Sequence, residues 1–175
     1  MSTLTVAEAM VLIDELDLEP IIFKLVNPED GTPLSLAQAD VVTMKYRQYL
    51  KLCAMYPGKS IVPNKEIDQV WHTHILDTAK YRDDCDQVFG KFLDHFPYFG
   101  LRGEEDAQNL KTAYAVTLDL FRNHFGAELA GAQQGCGESC GGSLCENPAC
   151  SGSACTGTID RCRPRIDRDE LLISA

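Results

Sequence analysis

Residues 64–76 read Asn64-Lys-Glu-Ile-Asp-Gln-Val-Trp-His-Thr-His-Ile-Leu76 and hold two of the chain's four histidines and its only tryptophan. Asn64 is a helix cap by residue type, and Glu66 and Asp68 follow it in the first turns, where the helix dipole favours acids. A helix advances about 100° per residue, so Ile67, Val70, Trp71 and His74 fall on one face and Ile75 on its flank. Asp68 and His72, four apart, lie side by side on a neighbouring face. His72 and His74 are then about 160° apart and cannot chelate one ion as a local pair, unlike the i, i+4 histidines of a metalloprotease helix. The stretch therefore divides into an Asp68–His72 pair, in which the carboxylate can fix the imidazole tautomer, and a His74 that faces the core.

The same periodicity extends outward. Thr5 to Leu18 carries a helical stripe of Val6, Ala9, Met10, Ile13 and Leu16, which Pro20 interrupts before a second short helix through Ile21, Ile22, Phe23, Leu25 and Val26. Asn27-Pro-Glu-Asp-Gly31 is a turn by its residue chemistry. Ser35 caps a long helix to about Met55, striped by Val42, Met44, Tyr46, Tyr49, Leu50 and Cys53, and Tyr56-Pro57-Gly58 ends it. Beyond Leu76, Asp77 or Thr78 starts a helix expected to run to about His95 through Tyr81, Val88, Phe89 and Phe92. The segment His95–Leu101 is an aromatic linker. A last helix spans about Glu104 to Phe125, with Gly126 as its C′ residue. No segment sustains period-2 alternation. The class is all-α, an irregular bundle of about five to six helices with a flexible Cys/Gly-rich C-terminal tail.

Cysteine usage draws the domain boundary. Residues 1–126 contain Cys53 and Cys85 and every aromatic side chain, whereas 127–175 contain the other six of the eight cysteines: Cys136, Cys140, Cys145, Cys150, Cys155 and Cys162. The expected organisation is a 1–126 helical domain and a 127–175 low-complexity tail too poor in apolar residues to offset its ordering entropy. The tail spacing, C-x3-C-x4-C-x4-C-x4-C-x6-C, is not that of a paired-knuckle zinc ribbon. Six thiols among glycines can still wrap a thiophilic ion, or form disulfides in an oxidising place. They can also be the modifiable part of a peptide carried behind a leader-like domain.

With 26 acids against 16 Lys and Arg the formal net charge is −10, which argues against nucleic acid or an anionic membrane as partner. No apolar run approaches the roughly 20 residues of a membrane span, and the N-terminal stretch lacks the basic region of a secretory signal, so a cytoplasmic location is expected. Nothing in the sequence speaks to oligomeric state.

The candidate ligands of the helical domain are Asp68, His72, His74, Asp84, Cys85 and His95. His74 can meet Tyr81, Asp84 or Cys85 on the following helix, and His95 can return to the same place. Imidazole, carboxylate and thiolate at that convergence suit zinc, or another transition metal such as copper or iron. The alternative is a core His74 hydrogen-bonded to Tyr81 or Asp84. Cys53 is read as core, and Asp83, Asp84 and Asp86 as a solvated face, with Asp84 the first candidate to leave it.

Asp68-x-x-Trp-His-x-His74, followed by Leu76, Tyr81 and Asp84-Cys85, resembles the repeated motif of the glycine-rich domain-containing protein-like family, which has plant members and many similar bacterial ones. The matching pattern extends through Ile61-Val-Pro63 to the run Phe96–Asp106, within residues 15–126. The resemblance implies a compact helical domain with His72, His74, Asp84 and Cys85 as its signature, and it implies no substrate. The tail departs from it: plant members carry long glycine-rich extensions in place of a short cysteine-rich one.

Three function classes follow. The first, which the residues favour, is a metal-binding protein with ligands in the helical domain, the tail or both. The second is an interaction or scaffold domain that uses the motif as core and meets a protein partner. The third is an enzyme using Asp68–His72 or a metal-bound water. No nucleophile elbow, phosphate loop or dinucleotide fingerprint is present.

Overall fold

A computed structural model of the chain describes residues 4–126 and Leu129. The six tail cysteines, and with them the expected metal-wrapping, disulfide and modifiable-peptide readings of the tail, lie outside the described residues. The described residues are all-α: α1 Val6–Glu15, α2 Glu19–Val26, α3 Leu36–Met55, α4 Lys65–Leu76, α5 Thr78–Phe89 and α6 Glu104–Phe125. None of these helices is long and apolar enough to cross a membrane.

Local chemistry sets most of the helix starts. Thr5 with Glu8, and Ser35 with Gln38, form reciprocal capping boxes that satisfy first-turn N–H groups. Asn64 accepts the Ile67 N–H at 3.0 Å. Asp77 both ends α4 and caps α5. Such caps contribute about 1 kcal/mol each.

The twenty-residue α3 is the central post and touches α1, α2, α4 and α6. Its inward face buries Tyr46, Tyr49 and Leu52 against Ile13, Leu18, Ile21, Ile67, Val70, Val88 and Phe121. Met44 and Val6, expected on core-facing stripes, are instead exposed.

Two boundaries differ from the sequence reading. Helix α1 stops at Glu15 rather than Leu18, because Leu16 turns extended (ψ 130°). The Arg47 guanidinium of α3 then donates to the carbonyls of Ile13 and Leu16, satisfying groups at that helix end. Leu16 and Leu18 enter the core from this non-helical link. Pro20 is consequently not a break within an element. It sits in the first turn of α2, where a missing N–H removes no helical bond.

Helix α5 stops at Phe89 rather than near His95. Gly90 takes the left-handed conformation (φ 62°) and its N–H returns to the Asp86 carbonyl. Phe92 is therefore exposed rather than on a stripe. The chain from Lys91 leaves the helix and brings His95 back to α4.

Asp106, in the first turn of α6, secures the end of this linker. Its carboxylate accepts the Gly100 N–H at 2.6 Å, the Arg102 N–H at 3.2 Å and the Arg102 guanidinium at 2.7 Å.

Candidate metal centre

Helix α4 presents the two faces expected of it. Ile67, Val70, Trp71 and His74 are buried, with Asp68 at the edge of the buried side and His72 half-exposed. The six candidate ligands of the helical domain separate into two groups.

The first group is Asp68, His72 and His95. His72 Nε2 and His95 Nε2 are 2.9 Å apart, His95 Nε2 is 3.1 Å from Asp68 Oδ1, and His72 Nε2 is 3.6 Å from Asp68 Oδ2. Among the described residues it is the one group of three or more His, Cys, Asp or Glu side chains whose ligand atoms converge in a way that could hold a metal ion. Its side chains range from sheltered (Asp68 12% and His95 14% exposed) to open (His72 52%).

The position of His95 follows from the core beneath it. The Trp71 indole N–H donates to the Tyr81 hydroxyl at 2.8 Å, and that hydroxyl donates to the carbonyl of Leu93, two residues before His95. The Trp71 ring also packs on the His95 imidazole, with centroids 4.5 Å apart. Trp71 and Tyr81 thus hold the linker against α4.

The second group is buried. His74 Nε2 lies 2.9 Å from Asp84 Oδ2, and His74 Nδ1 lies 3.0 Å from the Tyr46 hydroxyl. A carboxylate can only accept, so Nε2 carries the proton and donates to Asp84, while Nδ1 accepts from the tyrosine. Burial pushes the His74 imidazole below the usual histidine range, against the opposing pull of Asp84. Burial likewise holds Tyr46 well above the ordinary phenol range, so it remains a donor. Lys80 Nζ, 3.0 Å from the same Asp84 oxygen, completes the charge balance. Every polar atom of His74 is engaged, and the arrangement fastens α4 to α3 and α5.

Of the alternatives open for His74, the structure realises the hydrogen bond to Asp84. Tyr46, its second partner, lies 28 residues upstream and carried no local signal. Cys85 is buried against Tyr81, and burial raises its thiol above the ordinary range. The structure does not bring Cys85 into the Asp68 group. Asp83 and Asp86 are exposed, as expected of a solvated face, whereas Asp84 departs from that face and is sheltered, because His74 and Lys80 hold its carboxylate.

Chemically, the first group offers two imidazole nitrogens and a carboxylate oxygen. A tetrahedral ion with bonds of about 2.0–2.1 Å sets its ligand atoms about 3.3 Å apart. The three separations of 2.9, 3.1 and 3.6 Å bracket that value.

Comparison with known proteins agrees with the motif. The chain is 31% identical over 86 residues to glycine-rich domain-containing protein 1 of Arabidopsis thaliana, covering 47% of this chain and 10% of that protein. It is 36% identical over 58 residues to glycine-rich domain-containing protein 2 of the same plant, covering 29% of this chain and 7% of that protein. It thus spans about a tenth or less of the length of these relatives. No solved structure matches. The resemblance drawn from the Trp-His-x-His string is borne out. The UCP032817-like family model matches residues 8–119, nearly all of the helical region, and the chain belongs to that family.

Proposed function

We propose that this chain is a metal-binding protein whose centre in the helical domain is Asp68, His72 and His95, taking zinc or another transition metal such as iron or copper. The observation that carries the reading is the convergence of the three ligand atoms at separations of 2.9–3.6 Å.

Hydrogen bonding alone serves this triangle poorly. Each imidazole Nε2 has either one proton or one lone pair. If His95 gives its single proton to Asp68, it has little left for the His72 nitrogen 2.9 Å away. A cation at the centre uses a lone pair from all three at once. Two imidazoles and one carboxylate suit zinc and, with positions left open, ferrous iron; imidazole also suits copper.

Asp68 and His72 are placed by one helix turn, and His95 is placed by Trp71 and Tyr81. The motif therefore contributes ligands with one part and their support with the other. The tail cysteines are a second proposed ligand set, for a softer ion.

The test is local. Trp71 is the sole tryptophan and its ring lies 4.5 Å from that of His95. Titrating the full-length chain with its six tail cysteines replaced by serine, so that no tail thiol reduces the ion, with Cu(II) should quench Trp71 fluorescence and saturate at one ion per chain. His95→Ala and His72→Ala in that same background should remove the quenching. Equal quenching in the serine-substituted chain and both variants would refute the assignment.

A further inference from the structure

Among the described residues, no fourth His, Cys, Asp or Glu side chain joins Asp68, His72 and His95. Exposure is uneven across the triad: Asp68 and His95 are sheltered, while His72 is 52% exposed. The side of the triad toward His72 therefore faces solvent.

Three protein ligands with a free position are the pattern of reactive rather than purely structural metal sites, in which the remaining position holds water. Charge points to what replaces that water. Two neutral imidazoles and one carboxylate leave a divalent ion with a net charge of about +1. A small monoanion neutralises it. A large polyanion would meet the repulsion of a chain carrying a net charge of −10.

Resting on the metal-binding reading above, we propose that the Asp68–His72–His95 centre is coordinatively open. Its solvent-facing position holds water at rest and exchanges it for a small monoanionic ligand. The exchange is a substitution: the anion donates a lone pair to the ion and a neutral water leaves, with no change of oxidation state. Trp71, packed on the His95 ring, and Tyr81, bonded to the Leu93 carbonyl, are positioning residues for the sheltered side of the centre. They leave the His72 side clear.

Cobalt(II), whose visible bands report coordination number, is the probe, and azide is the anion. Two full-length chains are compared: the wild type, and one in which Cys136, Cys140, Cys145, Cys150, Cys155 and Cys162 are all replaced by serine. The expected result is one cobalt(II) bound in the serine-substituted chain, lost on His95→Ala. Saturable changes in the visible bands on adding azide should follow a single-site curve. The Tyr81→Phe variant, tested beside it, should weaken cobalt(II) about 10-fold while the bound ion still responds to azide.

Bound, His95-dependent cobalt(II) that ignores azide would overturn the open position and spare the metal site. A sulfur-to-cobalt charge-transfer band in the wild type that disappears in the serine-substituted chain, with azide acting only in the latter, would show a tail thiolate in the fourth place and would also overturn the proposal. Absence of His95-dependent cobalt(II) would remove both readings.

Discussion

The indole N–H of Trp71 donates to the hydroxyl of Tyr81 at 2.8 Å, and the same hydroxyl donates in turn to the Leu93 carbonyl. One oxygen thus joins α4, α5 and the linker that carries His95. Tyr81→Phe keeps the ring and deletes that oxygen, leaving a buried indole N–H without its acceptor. The expected cost is about 1–3 kcal/mol in denaturant-induced unfolding, with metal affinity about 10-fold weaker. Unchanged stability and unchanged Cu(II) quenching would separate the motif's tyrosine from its histidines.

The two histidines of α4 should respond differently to the same substitution. His74→Ala leaves a cavity, removes the acceptor of the Tyr46 hydroxyl and leaves Asp84 with Lys80 alone, and should destabilise the protein by about 3 kcal/mol or more. His72→Ala removes a half-exposed side chain and should change metal-free stability by about 0.5 kcal/mol or less while abolishing Cu(II) quenching of Trp71. Chemical denaturation and fluorescence titration on the same samples check both. A large stability loss in His72→Ala would place that residue in the core.

Alkaline pH should weaken the fold. Burial raises the Cys53 thiol from an ordinary value of 9.0 to about 12 and raises Cys85, Tyr46 and Tyr49 in the same direction. These groups are neutral in the folded chain and ionise first in the unfolded one. Their contribution is fully present below about pH 9 and is lost as the pH climbs toward the folded values. Unfolding midpoints measured from about pH 8 to pH 11 should fall. Cys53→Ala should flatten the early part of that fall, and a flat wild-type profile would contradict the burial of these groups.

Gly100→Ala tests the clamp behind the linker. Gly100 has φ +91°, and an added Cβ would sit 2.5 Å from Leu110 Cδ2. Backbone strain and the forced movement of Leu110 should together cost about 2 kcal/mol or more, read as a lower thermal midpoint. A neutral outcome would mean that residues 100–103 repack freely around Asp106.

The helix starts were legible because capping is local: Thr5, Ser35, Asn64 and Asp77 carry the signal in their own side chains. The angular separation of His72 and His74 also followed from helical geometry alone. The end of α5 was within reach of sequence reasoning, since Gly90 after Val88-Phe89 is a C′ signal, but the apolar Phe92 and Leu93 beyond it extend the stripe and mask the stop. The grouping of ligands was less accessible. His95 meets Asp68 across 27 positions, and Tyr46 meets His74 across 28, so both contacts are products of packing rather than of any periodicity. The end of α1 was likewise hidden, because the Arg47 guanidinium that receives its carbonyls belongs to another helix.

Gly90 turns the chain so that His72 and His95 stand on either side of the whole of α5. An ion gripping both residues would therefore act as a detachable clasp on a loop of 23 residues, and loop closure is a constraint on the open chain as much as on the closed one. Local opening of Thr78–Phe89 would then require the clasp to release first. Amide hydrogen exchange along α5 should slow when the ion is bound, although α5 contributes no ligand to it.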